Sequence, residues 1–266
     1  MCVSVCKADL SDNFESKQSR KAVDLPLTYH PSPCFTTFVF RSSEVKSLLL
    51  DLDPCGGTDP LGMFPLFIKR TADVMAPRLS VVFPRLVRLG SFPAYWRQAN
   101  VVPIPKAPPS SSLANYRASF ITSVLSKVFE CLVSIRLGRF IECSGVSNHP
   151  VCLSERSGTC DAFVCPINCS VLESGQEARI MQIDFSAAFD RVNHQGILNK
   201  LCSVGVGGSV LSILTQFLSN QSPHIMVDGC RSKLVNVISV VLCSVLGLLL
   251  FLMYTSELIF LHGTGK

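Results

Sequence analysis

The eight residues Ile183-Asp184-Phe185-Ser186-Ala187-Ala188-Phe189-Asp190 concentrate the most suggestive chemistry in this chain. Residues 179–183 read as a short apolar strand that runs into the carboxylate of Asp184. Small side chains follow, and then the ring of Phe189. A carboxylate leaving an apolar strand, followed by small residues and a bulky aromatic, suits a place where a nucleotide approaches the backbone. Taken alone, Asp184 also reads as a solvated strand-end acid, and Phe189 as a core ring. Asp190 and His194 fit a helix-start cap and its polar neighbour better than an acid–base pair.

Charge supplies the second clue. Residues 69–127 carry nine basic side chains against the single acid Asp73, a local charge of +8 in a chain whose net charge is +5. Such a block is what a polyanion-binding surface needs, and a solvated basic face reads the same way on charge alone. The thirteen cysteines include no Cys-x-x-Cys pair, so zinc binding is not expected. Residues 1–12 lack an apolar core, being broken by Lys7 and Asp9, and no signal peptide is expected. Reduced thiols fit an intracellular protein, in cytoplasm or nucleus if soluble.

The elements that must position these groups follow from periodicity. Residues 1–40 form a loose leader. Ser42-Ser43-Glu44 opens a helix through Leu50, stopped by Pro54 and Gly56-Gly57. Helical spacing over residues 63–89 is expected to break at Pro77 and Pro84. Residues 101–104 read as a strand, and 108–112 as a turn. Residues 124–141 form a helix with Val124, Val128, Leu132, Ile135 and Phe140 near one stripe. Residues 197–217 are helical with an interruption at 205–208, and 225–228 with 234–237 flank a turn at Gly229.

In that frame the motifs form a recognisable series. "QIDFSAAFDRVNH" (182–194) resembles motif A of non-long-terminal-repeat, LINE-type (jockey-like) reverse transcriptases. "WRQANVVPIPK" (96–106) and "NYRASFITSVLSKVFE" (115–130) resemble the first and second fingers motifs. "GTCDA" (158–162) resembles the segment before motif A, and "VLGLLLFLMYTSEL" (245–258) the tail of motif B. The resemblance implies an α/β (α+β) fold, a partial right-hand polymerase. Residues 41–145 would be fingers-like, 146–258 a partial palm, and 259–266 a divergent tail.

The resemblance also implies roles. Asp184 would be the first catalytic aspartate and would bind Mg2+, with the backbone carbonyl of Phe185 as a further ligand. Two such ions clamp the attacking and leaving oxygens in nucleotidyl transfer. Lys106 and Arg117 would grip the incoming triphosphate, where a planar guanidinium suits bidentate contact. Phe189 would be the gate against a ribose 2′-hydroxyl. Lys106 also reads as a solvated loop lysine, and Trp96 reads as core rather than a base-stacking platform. RNA or DNA template-primer is the implied partner; oligomeric state is left open.

Several departures point to lost activity. Ala118-Ser119-Phe120 follow the Asn-Tyr-Arg where the family has Pro-Ile-Ser, and "VCLSERSGT" lacks an aromatic–arginine pair. "SVVLCSVLGL" (239–248) has valine for the motif B glycine and leucine for its proline. A side chain there obstructs the close backbone approach that glycine permits. No Tyr/Phe-Ala-Asp-Asp occurs in the sequence. The expectation is a truncated, catalytically dead relic without the second aspartate hairpin or thumb.

One other reading comes from a different class. Residues 234–256 carry no charge, which is long enough for a bilayer span of about 20 residues. A single-pass membrane-associated protein with no enzymatic role is therefore the alternative, and the segment is expected to lack an internal partner.

Overall fold

The computed structural model describes residues 35–105, 116–143, 192–219, 221–227, 230–234 and 244–255. In chain order these form α1 (Ser42–Leu50), α2 (Pro65–Arg70), α3 (Ala72–Leu89), a 3-10 turn (Ala94–Arg97), β1 (Gln98–Pro105) and β2 (Tyr116–Thr122). Then come α4 (Val124–Cys143), α5 (His194–Ser203), α6 (Gly208–Leu218), β3 (Ser222–Val227), β4 (Cys230–Leu234) and α7 (Val245–Thr255). The fold is mixed α/β with one four-stranded sheet.

Helix α1 begins where Ser42-Ser43-Glu44 predicts. The Glu44 carboxylate accepts the Arg41 backbone N–H at 2.9 Å, satisfying a donor that the first turn leaves open. The same carboxylate receives Arg136 Nη2 of α4 at 2.7 Å, so one side chain both caps α1 and ties it to α4. The Arg41 N–H and, beyond it, the Arg136 guanidinium hold Glu44 below the usual carboxylate range.

Helix α3 departs from expectation. It runs unbroken through Pro77 and Pro84, and the chain bends instead at Thr71, between α2 and α3. A proline removes one N–H donor and leaves a carbonyl four residues earlier without its partner. Pro77 is exposed and Pro84 only half-buried, so solvent reaches those positions. Meanwhile Ala72, Ala76, Leu79, Phe83 and Val87 are buried along one stripe and hold the helix to the core. Its end is marked by Gly90 in the left-handed region (φ 58°), where Ser91 N–H reaches back to Leu86 O at 3.1 Å.

The main core is helical. Phe40, Phe83, Phe92 and Phe129 are buried within it, and Trp96 packs edge-on to Phe83 and Phe92 with centroids 6.1 and 5.6 Å away. Trp96 is thus a core ring, as its sequence suggests. Helices α5 and α6 meet at the glycine interruption, with Gly205 at φ 95° and Gly208 at φ 57°. The cap of α5 is Asn193, whose Oδ1 accepts Gln195 N–H at 2.9 Å. Asp190 lies outside the described residues.

Helix α7 corrects the membrane reading. It spans 11 residues, and Leu246, Leu249, Leu250 and Met253 are buried against α4 and α5. Within the uncharged run, Leu234 ends a strand and residues 245–255 form this separate short helix. No helix among the described residues is long and apolar enough to cross a membrane. The buried side of α7 is taken up by helix packing.

The sheet order is β2-β1-β3-β4, with β1 antiparallel to β2 and parallel to β3. Val101 faces Phe120 on one side and Ile225 on the other; these three and Ala99 form a small separate core. The β3–β4 hairpin is displaced from the expected register: its second strand is Cys230–Leu234 rather than residues 234–237. Val227 pairs with Cys230, and a bulge between His224 and Met226 shifts the ladder.

Candidate nucleic-acid interface

Asp184, Phe185, Phe189 and Lys106 lie outside the described residues. Arg117 is described, and its setting follows from the β1–β2 hairpin. Residues 98–102 alternate half-buried and buried positions and Ile104 and Pro105 are exposed, while residues 116–122 return antiparallel with Ile104 opposite Arg117 and Pro105 opposite Tyr116. Lys106 follows Pro105 in sequence, so the hairpin brings the chain on either side of its connection to within one register step of Arg117. The Arg117 side chain is exposed on the second residue of β2.

Cross-strand partners share a sheet face, and alternate residues along a strand share it too. Arg117, Ile104, Val102 and Asn100 therefore stand on one face, opposite the Val101–Phe120–Ile225 core. On that face Arg231 of β4 reaches across β3 and donates from Nη2 to Asn100 Oδ1 at 2.9 Å. His224, which pairs with Asn100, is held through Nδ1 to Ser232 O at 3.0 Å. The face thus carries a guanidinium on each outer strand. Arg231 is not among the residues that the sequence alone singles out. The alternation of Arg231 and Lys233 directly after Asp228-Gly229 is the signal that would have placed it on a hairpin strand.

The basic block of residues 69–127 is divided by the fold. Arg97 turns inward, donating to Phe92 O at 2.9 Å and Gln216 Oε1 at 3.2 Å. Lys69 is held by Leu52 O at 3.1 Å. Arg78, Arg85 and Arg88 project from α3, and Arg117 from the sheet. Among the described residues no group of three or more His, Cys, Asp or Glu side chains is placed to hold a metal ion.

Two buried acids outside this face organise what surrounds it. Asp59 accepts Leu61 N–H at 2.9 Å and Met63 N–H at 2.8 Å through Oδ1, and Val124 N–H at 3.1 Å through Oδ2. It therefore caps α4 at the point where β2 ends. Glu130, inside α4, accepts Ser126 Oγ at 2.8 Å and the hydroxyl of Ser244 at the start of α7. Burial pushes the Glu130 carboxyl above the usual range, against the pull of both serines and of Lys127.

A mixed α/β fold with a four-stranded sheet and a basic hairpin is consistent with a polymerase-like fragment. Comparison with known proteins gives the particular relatives. The chain is 26% identical over 225 residues to the RNA-directed DNA polymerase from mobile element jockey of Drosophila melanogaster, covering 81% of this chain and 24% of that protein. It is 27% identical over 186 residues to the probable RNA-directed DNA polymerase from transposon X-element of the same species, covering 68% of this chain and 20% of that protein. The jockey polymerase of Drosophila funebris matches at 26% over 222 residues, 81% of this chain and 24% of that protein. No family model matches. The chain is thus similar to RNA-directed DNA polymerases of LINE-type mobile elements, the family its motifs resemble. It spans between 20% and 24% of the length of these three relatives.

Proposed function

We propose that this chain corresponds to the fingers and part of the palm of a mobile-element reverse transcriptase, and that it binds template-primer weakly without extending it. Residues 41–145 are the fingers-like part, and 146–258 the palm-like part. The observation that supports this most is the β1–β2 hairpin. Its strands are the two fingers motifs, and it holds Arg117 exposed beside the connection that begins with Lys106. Lys106 and Arg117 would contact phosphate, Arg117 bidentately. Arg231 extends the same face as a further cation for the strand backbone.

Loss of extension rests on motif B. Val240 and Leu242 stand where glycine and proline let the backbone approach the nascent pair. Asp184 and the Phe185 carbonyl are the donors assigned to Mg2+. No chemical step is assigned to the ion. Phe189 keeps the gate position without a reaction to gate.

A primer-extension assay tests this reading. The protein, given primed RNA, deoxynucleotides and magnesium, is expected to extend no more primer than its Asp184→Asn variant. Extension that depends on Asp184 would overturn the inactive assignment. A complete lack of RNA binding would overturn the retained interface.

A further inference from the structure

Helix α3 has two apolar faces, and the core uses one. Ala72, Ala76, Leu79, Phe83 and Val87 point inward. On the opposite side, at 100° per residue, Val74, Val81, Val82 and Leu89 fall within one arc of about 100°. They are 59%, 67%, 47% and 67% exposed. Arg78 and Arg85 are exposed in the same arc, interleaved with them, and the exposed Arg88 lies about 20° beyond its edge. Two acid–base pairs form nearby, Lys46–Asp73 and Arg136–Glu44, yet none of these three arginines forms an ion pair or hydrogen bond among the described residues. Isolated surface valines need no explanation. Four aliphatic side chains aligned with three uncompensated guanidiniums make a continuous ridge.

We infer that this outer face of α3 docks an acidic amphipathic helix of a protein partner. From Val74 to Leu89 the ridge is about 22 Å long at 1.5 Å per residue, matching roughly four turns of a partner helix. Alternating aliphatic and basic positions complement a helix with an apolar seam flanked by Asp or Glu. The stems of Arg78 and Arg85 can lie along that seam while their heads meet carboxylates. A nucleic-acid strand fits less well. Non-specific single-strand sites stack bases on aromatic rings, and this arc holds none, while its valines would stand against phosphates. The sheet face carrying Arg117 and the α3 ridge are therefore assigned to different partners.

The test uses the full chain and a fluorescent 21-residue helical probe with leucine at its seam positions and glutamate at the flanking ones. A scrambled peptide of the same composition, an oligouridine RNA and anionic phosphatidylserine vesicles serve as comparisons. The seam peptide is expected to bind, and the scrambled one not. Arg78→Glu with Arg85→Glu is expected to weaken the peptide at least about tenfold, a little over 1.4 kcal/mol. Val81→Asp should do the same, while circular dichroism and oligouridine binding stay unchanged. No seam-specific binding overturns the proposal. So does peptide binding that ignores these substitutions, or a surface where only RNA or vesicles respond to them.

Discussion

Ser244 and Glu130 meet in the core through a hydroxyl–carboxylate hydrogen bond although 114 residues separate them. Ser244 Oγ also accepts Gly247 N–H at 3.1 Å, so it caps α7 while donating to α4. The start of α7 is thereby fixed to α4.

A pH dependence follows from that pair. The folded state raises the Glu130 pKa above its ordinary value of 4.5, so it binds a proton more readily than the unfolded chain. Its contribution is fully present below about pH 4.5 and is lost as pH rises through the folded value. Urea titrations from pH 4 upward should show that loss in the native sequence, and Glu130→Gln should flatten it. An unchanged slope in the variant would remove Glu130 as the cause.

Asp59 is the second test of the core. Replacing it with alanine strands three backbone N–H groups, two in the preceding loop and one at the start of α4. The expected cost is about 2–3 kcal/mol, read as a lower urea midpoint with the slope retained. Asp59→Asn keeps an acceptor oxygen and should lose less.

The placement of α7 makes a prediction that separates packing from insertion. Leu246 and Leu249 are each 1% exposed. Leu246→Arg with Leu249→Arg buries unpaired charge, at a cost upward of about 3 kcal/mol, and should unfold the protein in the absence of any lipid. Retained cooperative unfolding at native midpoint would show that these side chains face outward.

Nucleic-acid binding should carry an electrostatic signature. Oligouridine affinity is expected to fall with salt at a log–log slope near about −0.7 per phosphate contacted. Lys106→Ala with Arg117→Ala should flatten it by roughly one to two. Arg231→Ala should flatten it further. Binding indifferent to salt would place the RNA elsewhere.

What the sequence made legible was local. The stripe through Val124, Val128 and Leu132 identified α4, and the glycines at 205–208 separated α5 from α6. Of the β1–β2 hairpin, the first strand and the Pro/Ser turn were legible, whereas Tyr116–Thr122 had been assigned to no element. Pro77 and Pro84 misled because their penalty is local, whereas the burial of Phe83 and Val87 that outweighs it is tertiary. Cys230-Arg231-Ser232-Lys233 did not read as a strand because, among the described residues, only one side of it has a partner. Glu130 and Asp59 gave no signal of burial, since the partners that tie them into the core, Ser244 and Val124, lie 114 and 65 residues away. The motif A acids were legible by resemblance alone and lie outside the described residues.

The parallel pairing of Gln98 with Ser222, through Val101 with Ile225, has a consequence for synthesis on the ribosome. Strands β1 and β2 emerge together and can zip as soon as Thr122 clears the exit tunnel. The other edge of β1 then waits for 100 more residues before β3 arrives. At about 5–20 residues per second that interval lasts roughly 5–20 s, during which a bare strand edge is open to another nascent chain. Densely loaded polysomes should therefore favour β1-to-β1 association between neighbouring chains, and sparse loading should relieve it.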